Sequence, residues 1–198
     1  LFGHYMNNNI IEKEVLSENY YECDETETIL IPIPFDVKSQ VVSFQVFAYS
    51  DISIYEGSYL ADISTDKMNE VELSLVTVTF RKEDFITRNL RLIENEIIYS
   101  DEEIADHIFV RVIDNGRTLN AEEWNGECIH IYQNPNVGGS GGYTRGMIET
   151  LRDETFNATH ALLMDDDVKI LPESIIRTYN LLRCLKPEYR DHFISGAM

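Results

Sequence analysis

The chain has 198 residues, 43% of them apolar, and a formal net charge of −19. That is enough material for one large domain or two small ones, and the charge argues against nucleic acid or acidic lipid as a partner, since both are bound through excess lysine and arginine. No run approaches the roughly 20 apolar residues of a membrane-spanning helix, and the first residues do not read as a signal peptide. Three distant cysteines, Cys23, Cys128 and Cys184, show neither metal-ligand spacing nor a disulfide framework, so reduced thiols are expected, with Cys128 and Cys184 in the core.

Residues 1–70 are acidic and carry short apolar/polar alternations. Ile29 to Phe35, with two prolines, reads as an edge strand. Gln40 to Tyr49 reads as a longer strand, and Ile52–Tyr55 and Tyr59–Ile63 as short strands around a Glu56-Gly57-Ser58 turn. Short strands at close spacing predict a small all-β sandwich or barrel over 1–70. Its tyrosines (Tyr20, Tyr21, Tyr49, Tyr55, Tyr59) are expected to pack, with sugar contact as the second reading.

From Val71 the rhythm changes. Glu72 to Phe80 is a strand, and Phe85, Leu90, Ile93, Ile97 and Ile98 recur at helical spacing. Strands follow at Ile108–Ile113 and Cys128–Tyr132, then a loop over 133–142, a helix over Tyr143–Arg152, a strand at Thr159–Met164 and a helix at Glu173–Leu185. Strand alternating with helix predicts an α/β fold with a parallel sheet over 71–198. Arg81, Asp114, Asn136 and Asp165-Asp166-Asp167 all follow strands, so they share the edge where open α/β sheets bind ligands.

Two stretches carry the chemistry. In Ala161-Leu-Leu-Met-Asp-Asp-Asp-Val168, a buried strand should end in three carboxylates. Strand alternation puts Asp165 and Asp167 on one side as ligands for a hard divalent cation, Mn²⁺ or Mg²⁺, and Asp166 on the other, either supporting those ligands or touching substrate. Caps and solvated turn residues are the alternative. In Asn136-Val-Gly-Gly-Ser-Gly-Gly-Tyr-Thr-Arg-Gly146, the glycines, Gly138 and Gly139 among them, let backbone approach a ligand ahead of a helix N-terminus that favours anions. Arg145, about one turn into that helix, is placed either to face a diphosphate or to stand in a solvated ion pair. The stretch matches neither a Walker A loop nor the dinucleotide fingerprint. Trp124 is expected to pack, and His107, His130 and His160 to be core or surface histidines.

Thr79-Phe80-Arg81, Asp114-Asn115-Gly116, the 136–146 stretch and Asp165-Asp166-Asp167-Val168, in this order, resemble family 2 glycosyltransferases of the GT-A fold, especially bacterial galactofuranosyltransferases. The resemblance covers about residues 71–198, and that subfamily also carries an N-terminal β-rich domain. It implies that Arg81 and Asp114 hold the uracil and ribose of a UDP-sugar, that Asn136 and the following glycines line the nucleotide pocket, and that Asp165 and Asp167 form the Asp-X-Asp pair that binds metal on the diphosphate. It further implies an inverting transfer to a glycan or lipid-linked glycan in cell-wall or capsular polysaccharide synthesis. The setting would be the cytoplasm, at the inner face of the membrane for the full-length protein; a homo-oligomer is compatible with it. The general base of such enzymes lies beyond the Asp run, so it is expected past Met198, with the isolated chain part of a longer protein and inactive by itself. A rhamnosyl- or other hexosyltransferase, and a non-catalytic glycan- or partner-binding module, are the alternatives.

Overall fold

The computed structural model describes residues 1–7, 10–34, 39 and 41–196. The chain divides into two compact units, Leu1–Leu60 and Ala61–Met198.

In the first unit, β1 (Phe2–Asn7) pairs antiparallel with β2 (Ile10–Val15), Asn7 opposite Ile10, and with β3 (Val41–Ser43). Among the described residues this is one three-stranded antiparallel sheet, β2-β1-β3, rather than a sandwich or barrel. Residues 29–34, 44–49, 52–55 and 59–63 form no strand, and Phe35 and Gln40 lie outside the described residues. Pro32 and Pro34 remove two ladder donors from the first of these segments. Tyr20, Tyr21, Tyr49, Tyr55 and Tyr59 are all exposed.

The second unit follows the expected alternation. Its parallel strands are β4 (Leu73–Thr79), β5 (Ile108–Asp114), β6 (Ile129–Gln133) and β7 (His160–Asp165), in the order β6-β5-β4-β7. The central strands β4 and β5 are buried almost throughout, so they read as continuous apolar runs. Helix α1 (Glu83–Ile93) continues into a π-turn over Glu94–Ile98, and the short α2 (Ala121–Trp124) precedes β6. The crossover from β6 to β7 is α3 (Gly138–Arg152), and α4 (Pro172–Arg183) follows β7 with proline in its first turn, where the missing N–H is harmless.

Ile86, Leu90, Ile93 and Ile97 from α1 and its π-turn join Leu73, Leu75, Val110, Val112 and Ile175, Tyr179 and Leu182 of α4 in one core on one face of the sheet. Trp124 packs against this core. Helix α3 covers the other face.

Three expectations need correction. First, the glycine stretch is helix, not loop: α3 begins at Gly138. The reason is packing. A Cβ at Gly142 would lie 2.4 Å from Val78 Cγ1, and one at Gly146 2.2 Å from Val76 Cγ1. These two glycines, one turn apart on one helix face, let α3 lie directly on β4, and that contact overrides their poor helix propensity. Second, β7 is an edge strand with only one side covered, Leu163 being 49% exposed, rather than a fully buried one. Third, Cys184 is exposed, because it caps α4 beyond the apolar stripe; Cys128 is half-buried.

Candidate functional site

From β4 the chain winds through β5 to β6 on one side, then returns through α3 to β7 on the other. The carboxyl ends of β4 and β7 therefore flank a topological switch point, where open α/β sheets leave a crevice for ligands. Each wall of that crevice carries residues singled out above.

The β4 end supplies Arg81 and Lys82. Arg81 is exposed, holds a left-handed backbone (φ 56°) and has its guanidinium 5.2 Å from the Phe80 ring centroid. Gly116 permits this turn, since a Cβ there would sit 3.2 Å from the Arg81 nitrogen. Thr79, the last residue of β4, has a buried hydroxyl with no partner among the described residues.

The β7 end supplies the aspartates. The strand stops at Asp165, and Asp166 and Asp167 form a turn, so the expected alternation does not run through all three. Asp165 and Asp167 accordingly have different partners. Tyr143 of α3 donates to Asp165 Oδ1 at 2.6 Å. Burial first, and then this hydrogen bond to a carboxylate, push the Tyr143 hydroxyl well above the usual phenol range. Asp167 instead accepts from Lys82 Nζ at 2.5 Å, which also lies 3.6 Å from Asp166 Oδ1. The Lys82 contact holds the Asp167 carboxyl below the usual carboxylate range and raises Lys82 in turn. Asp166 is only 7% exposed. Its carbonyl accepts from Nδ2 of the buried Asn89, which also bonds the Val168 carbonyl, each at 3.0 Å, pinning the aspartate turn to α1.

The β5 end is rigid. Asp114 is fully buried. Its Oδ1 accepts from the Gly116 N–H at 2.9 Å, and its Oδ2 from Thr118 and Leu119 at 2.7 and 2.8 Å. In this conformation the carboxylate organises its own loop. Asn115 bridges outward, donating to the Gly138 carbonyl at 3.2 Å and accepting from Asn134 at 2.8 Å. Asn136 Oδ1 accepts from the Gly138 N–H at 3.1 Å, turning the chain into α3.

At the N-terminus of α3, Gly138 (φ 75°) and Gly139 would meet nothing within 4 Å if they carried a Cβ. Unlike Gly142 and Gly146, they border open space, beside free helical N–H groups. Because α3 starts at Gly138, Arg145 stands about two turns into the helix instead of one, and its guanidinium pairs with Glu149 at 2.6 Å.

The structure thus brings the Asp run, Lys82, Tyr143 and the open start of α3 to the strand ends and leaves Arg145 in a pair of its own. Sequence reading missed Tyr143, Asn89, Asn115, Asn134 and the part played by Lys82. Only Tyr143 left a usable signal, an aromatic one turn past the open glycines, on the helix that borders the Asp run.

Among the described residues, no group of three His, Cys, Asp or Glu side chains forms a metal cage. A hard cation held between protein and phosphates needs none: Mg²⁺ keeps several waters and takes one or two carboxylates plus phosphate oxygens. The Asp165–Asp167 turn fits that donor set, and a cationic group, the Lys82 ammonium, already sits against two of its carboxylates.

A separate concavity of about 340 Å³ lies between β6 and the C-terminal half of α3, lined by Phe109, His130, Tyr132 and Glu149 among others. Two of its three carboxylates are engaged: Asp153 by the buried Arg111, and Glu149 by Arg145. None of the strand-end residues reaches it, so the chemistry argues for the switch point over this groove.

The second unit is therefore an open parallel α/β domain with a polar site at its switch point. No model of a known protein family matches the chain. It is 43% identical over 61 residues to the galactofuranosyltransferase GlfT2 of Mycolicibacterium smegmatis and 41% identical over 61 residues to that of Mycobacterium tuberculosis. Each match covers 31% of this chain and 9% of the relative. These matches support a relationship to glycosyltransferases. Among the described residues no helix is long and apolar enough to cross a membrane.

Proposed function

We propose that residues 71–198 form the nucleotide-sugar-binding part of a GT-A glycosyltransferase of family 2, inverting, with a UDP-sugar donor, UDP-galactofuranose by analogy with the matched relatives. The observation that carries the reading is the convergence of the Asp165–Asp167 turn and the open Gly138–Gly139 helix start at one switch point. A nucleoside diphosphate needs both features: N–H donors at a helix start for one phosphate, and carboxylates that hold a cation for the charge on both.

In this reading the α3 N–H groups take a phosphate, and Arg81, projecting from a left-handed turn at the crevice, meets the base or ribose. Asp114 acts by fixing the 115–119 loop that lines the nucleotide side, and Asn136 and Asn115 by fixing the start of α3. Asp165 and Asp167, with Asp166 beside them, would hold Mn²⁺ or Mg²⁺. Such a cation, when bound, neutralises charge on the departing diphosphate. Tyr143 orients Asp165, and as a neutral donor it spares that carboxylate a competing charge. The acceptor would be a glycan or lipid-linked glycan of cell-wall or capsular polysaccharide, at the cytoplasmic face of the membrane, and the reaction would also require a general base to deprotonate its hydroxyl.

Calorimetric titration of UDP tests the reading, with Mn²⁺, with EDTA, and with the Asp165→Ala/Asp167→Ala variant. Binding that needs both the metal and the two carboxylates is expected. Equal binding in all three conditions, or none in a folded chain, would overturn it.

A further inference from the structure

We propose that Lys82 is a resident counter-ion of Asp166 and Asp167, and that a divalent cation held by Asp165 and Asp167 binds only by displacing its ammonium group from Asp167. The inference rests on reading the strand-end carboxylates as a divalent-cation site.

The two sides of the contact are built differently. The acidic side is fixed. Asp166 is 7% exposed, its carbonyl is tied to Asn89 on α1, and Asn89 also ties the Val168 carbonyl beyond Asp167. The backbone of the turn is therefore held in place; the Asp167 side chain is 50% exposed, while a carboxylate as buried as Asp166 is costly unless paired. The cationic side is a tether. Lys82 sits just ahead of α1, its side chain is 42% exposed, and its ammonium rides on a flexible four-carbon stem. A permanent structural bridge would bury both partners. Here a fixed, half-sequestered acid pair faces a cation free to leave.

Occupancy is exclusive. Lys82 Nζ stands 2.5 Å from Asp167 Oδ2 and 3.6 Å from Asp166 Oδ1. Mg²⁺ on the same Asp167 oxygen would bind at about 2.0–2.1 Å. Two positive centres within a few ångströms of the same oxygens repel, by an amount that the solvent around Asp167 reduces but does not remove. Asp167 therefore holds either the ammonium or the metal, and the exchange keeps the turn neutralised in both states.

The test is Mn²⁺ binding to the chain without nucleotide, read from the electron paramagnetic resonance signal of free Mn²⁺. The native protein, Lys82→Met and Lys82→Arg are compared after circular dichroism shows all three folded. Lys82→Met keeps the stem and removes the competitor, so Mn²⁺ should bind roughly two- to fivefold more tightly, the fold-change that corresponds to an ion pair of this exposure. Lys82→Arg should stay within about twofold of native. In the native protein, Mg²⁺ should also shift the Lys82 side-chain NMR resonance, assigned by its absence from Lys82→Met. Equal Mn²⁺ affinity in native protein and Lys82→Met, or weaker binding in Lys82→Met, overturns the exchange while leaving the cation site standing. No Mn²⁺ binding to any of the three overturns the cation site and the exchange with it.

Discussion

Gly146→Ala should destabilise the protein, and Gly139→Ala should not, although both add one methyl group to the same helix. At Gly146 the added Cβ would lie 2.2 Å from Val76 Cγ1 and 3.3 Å from Ile113 Cγ1. Val76 is fully buried and β-branched, so it cannot turn aside at low cost. Relief requires α3 to lift off β4. Overpacking of this kind costs about 1–3 kcal/mol, and so severe an approach belongs at the upper end. Alanine recovers about 0.5–1 kcal/mol of helix propensity. The net loss is about 2 kcal/mol, or a fall in Tm of roughly 6–10 °C for a unit of this size. Gly139 has nothing within 4 Å, so alanine there should gain roughly 0.4–1 kcal/mol by restricting the unfolded chain. Urea unfolding followed at 222 nm reads the second unit, which carries α1 to α4. If Gly146→Ala proves as stable as Gly139→Ala, the close approach of α3 to β4 is wrong, and the packing account of the glycines falls with it.

Other perturbations separate structural from ligand roles. Asp114→Asn replaces one accepting oxygen by an amide that faces backbone N–H groups. It should cost about 2–3 kcal/mol in urea unfolding, and unchanged stability would contradict the loop-organising role of the carboxylate. Asp153→Ala leaves the fully buried Arg111 guanidinium without its charge partner. A loss of about 3–5 kcal/mol is expected, with a large part restored in Arg111→Met/Asp153→Ala; a double variant no better than the single one would refute this. The same pair sets an acid limb of stability. Burial raises the Asp153 carboxyl, but hydrogen bonds from Thr155 and Phe156 and the Arg111 charge outweigh it and hold it below the usual range. The stability it contributes is present above the unfolded carboxylate value, near pH 4, and is lost as pH falls through the lower folded value. Asp153→Asn should flatten that limb, and an unchanged acid profile would count against it.

The α/β rhythm was legible because the buried parallel strands are short apolar runs closed by polar residues. Leu73–Thr79 and Ile108–Asp114 could be read almost to the residue. The strand-end placement of Arg81, Asp114 and the aspartates followed from the same rhythm. The start of α3 could not be read that way. Four glycines in five residues look like loop; of these Gly142 meets the sheet, against Val78, and together with Gly146 against Val76 it seats the helix on β4. Lys82 and Asp167 are separated by 85 positions, and nothing local in either segment announces their contact. Near the start of the chain β1 and β2 form, while the alternating segments at 52–55 and 59–63 do not become strands. Alternation records a possible amphipathic face and does not itself supply a partner strand.

The most direct test of where ligand binds is amide hydrogen exchange on the native chain with and without UDP and Mn²⁺. The account expects slowed exchange at residues 80–82, 115–119, 138–142 and 165–168, and no change around the groove at 127–132 and 149–155. Protection confined to that groove, or absent from both the aspartate turn and the start of α3, would contradict a nucleotide site at the β4–β7 switch point.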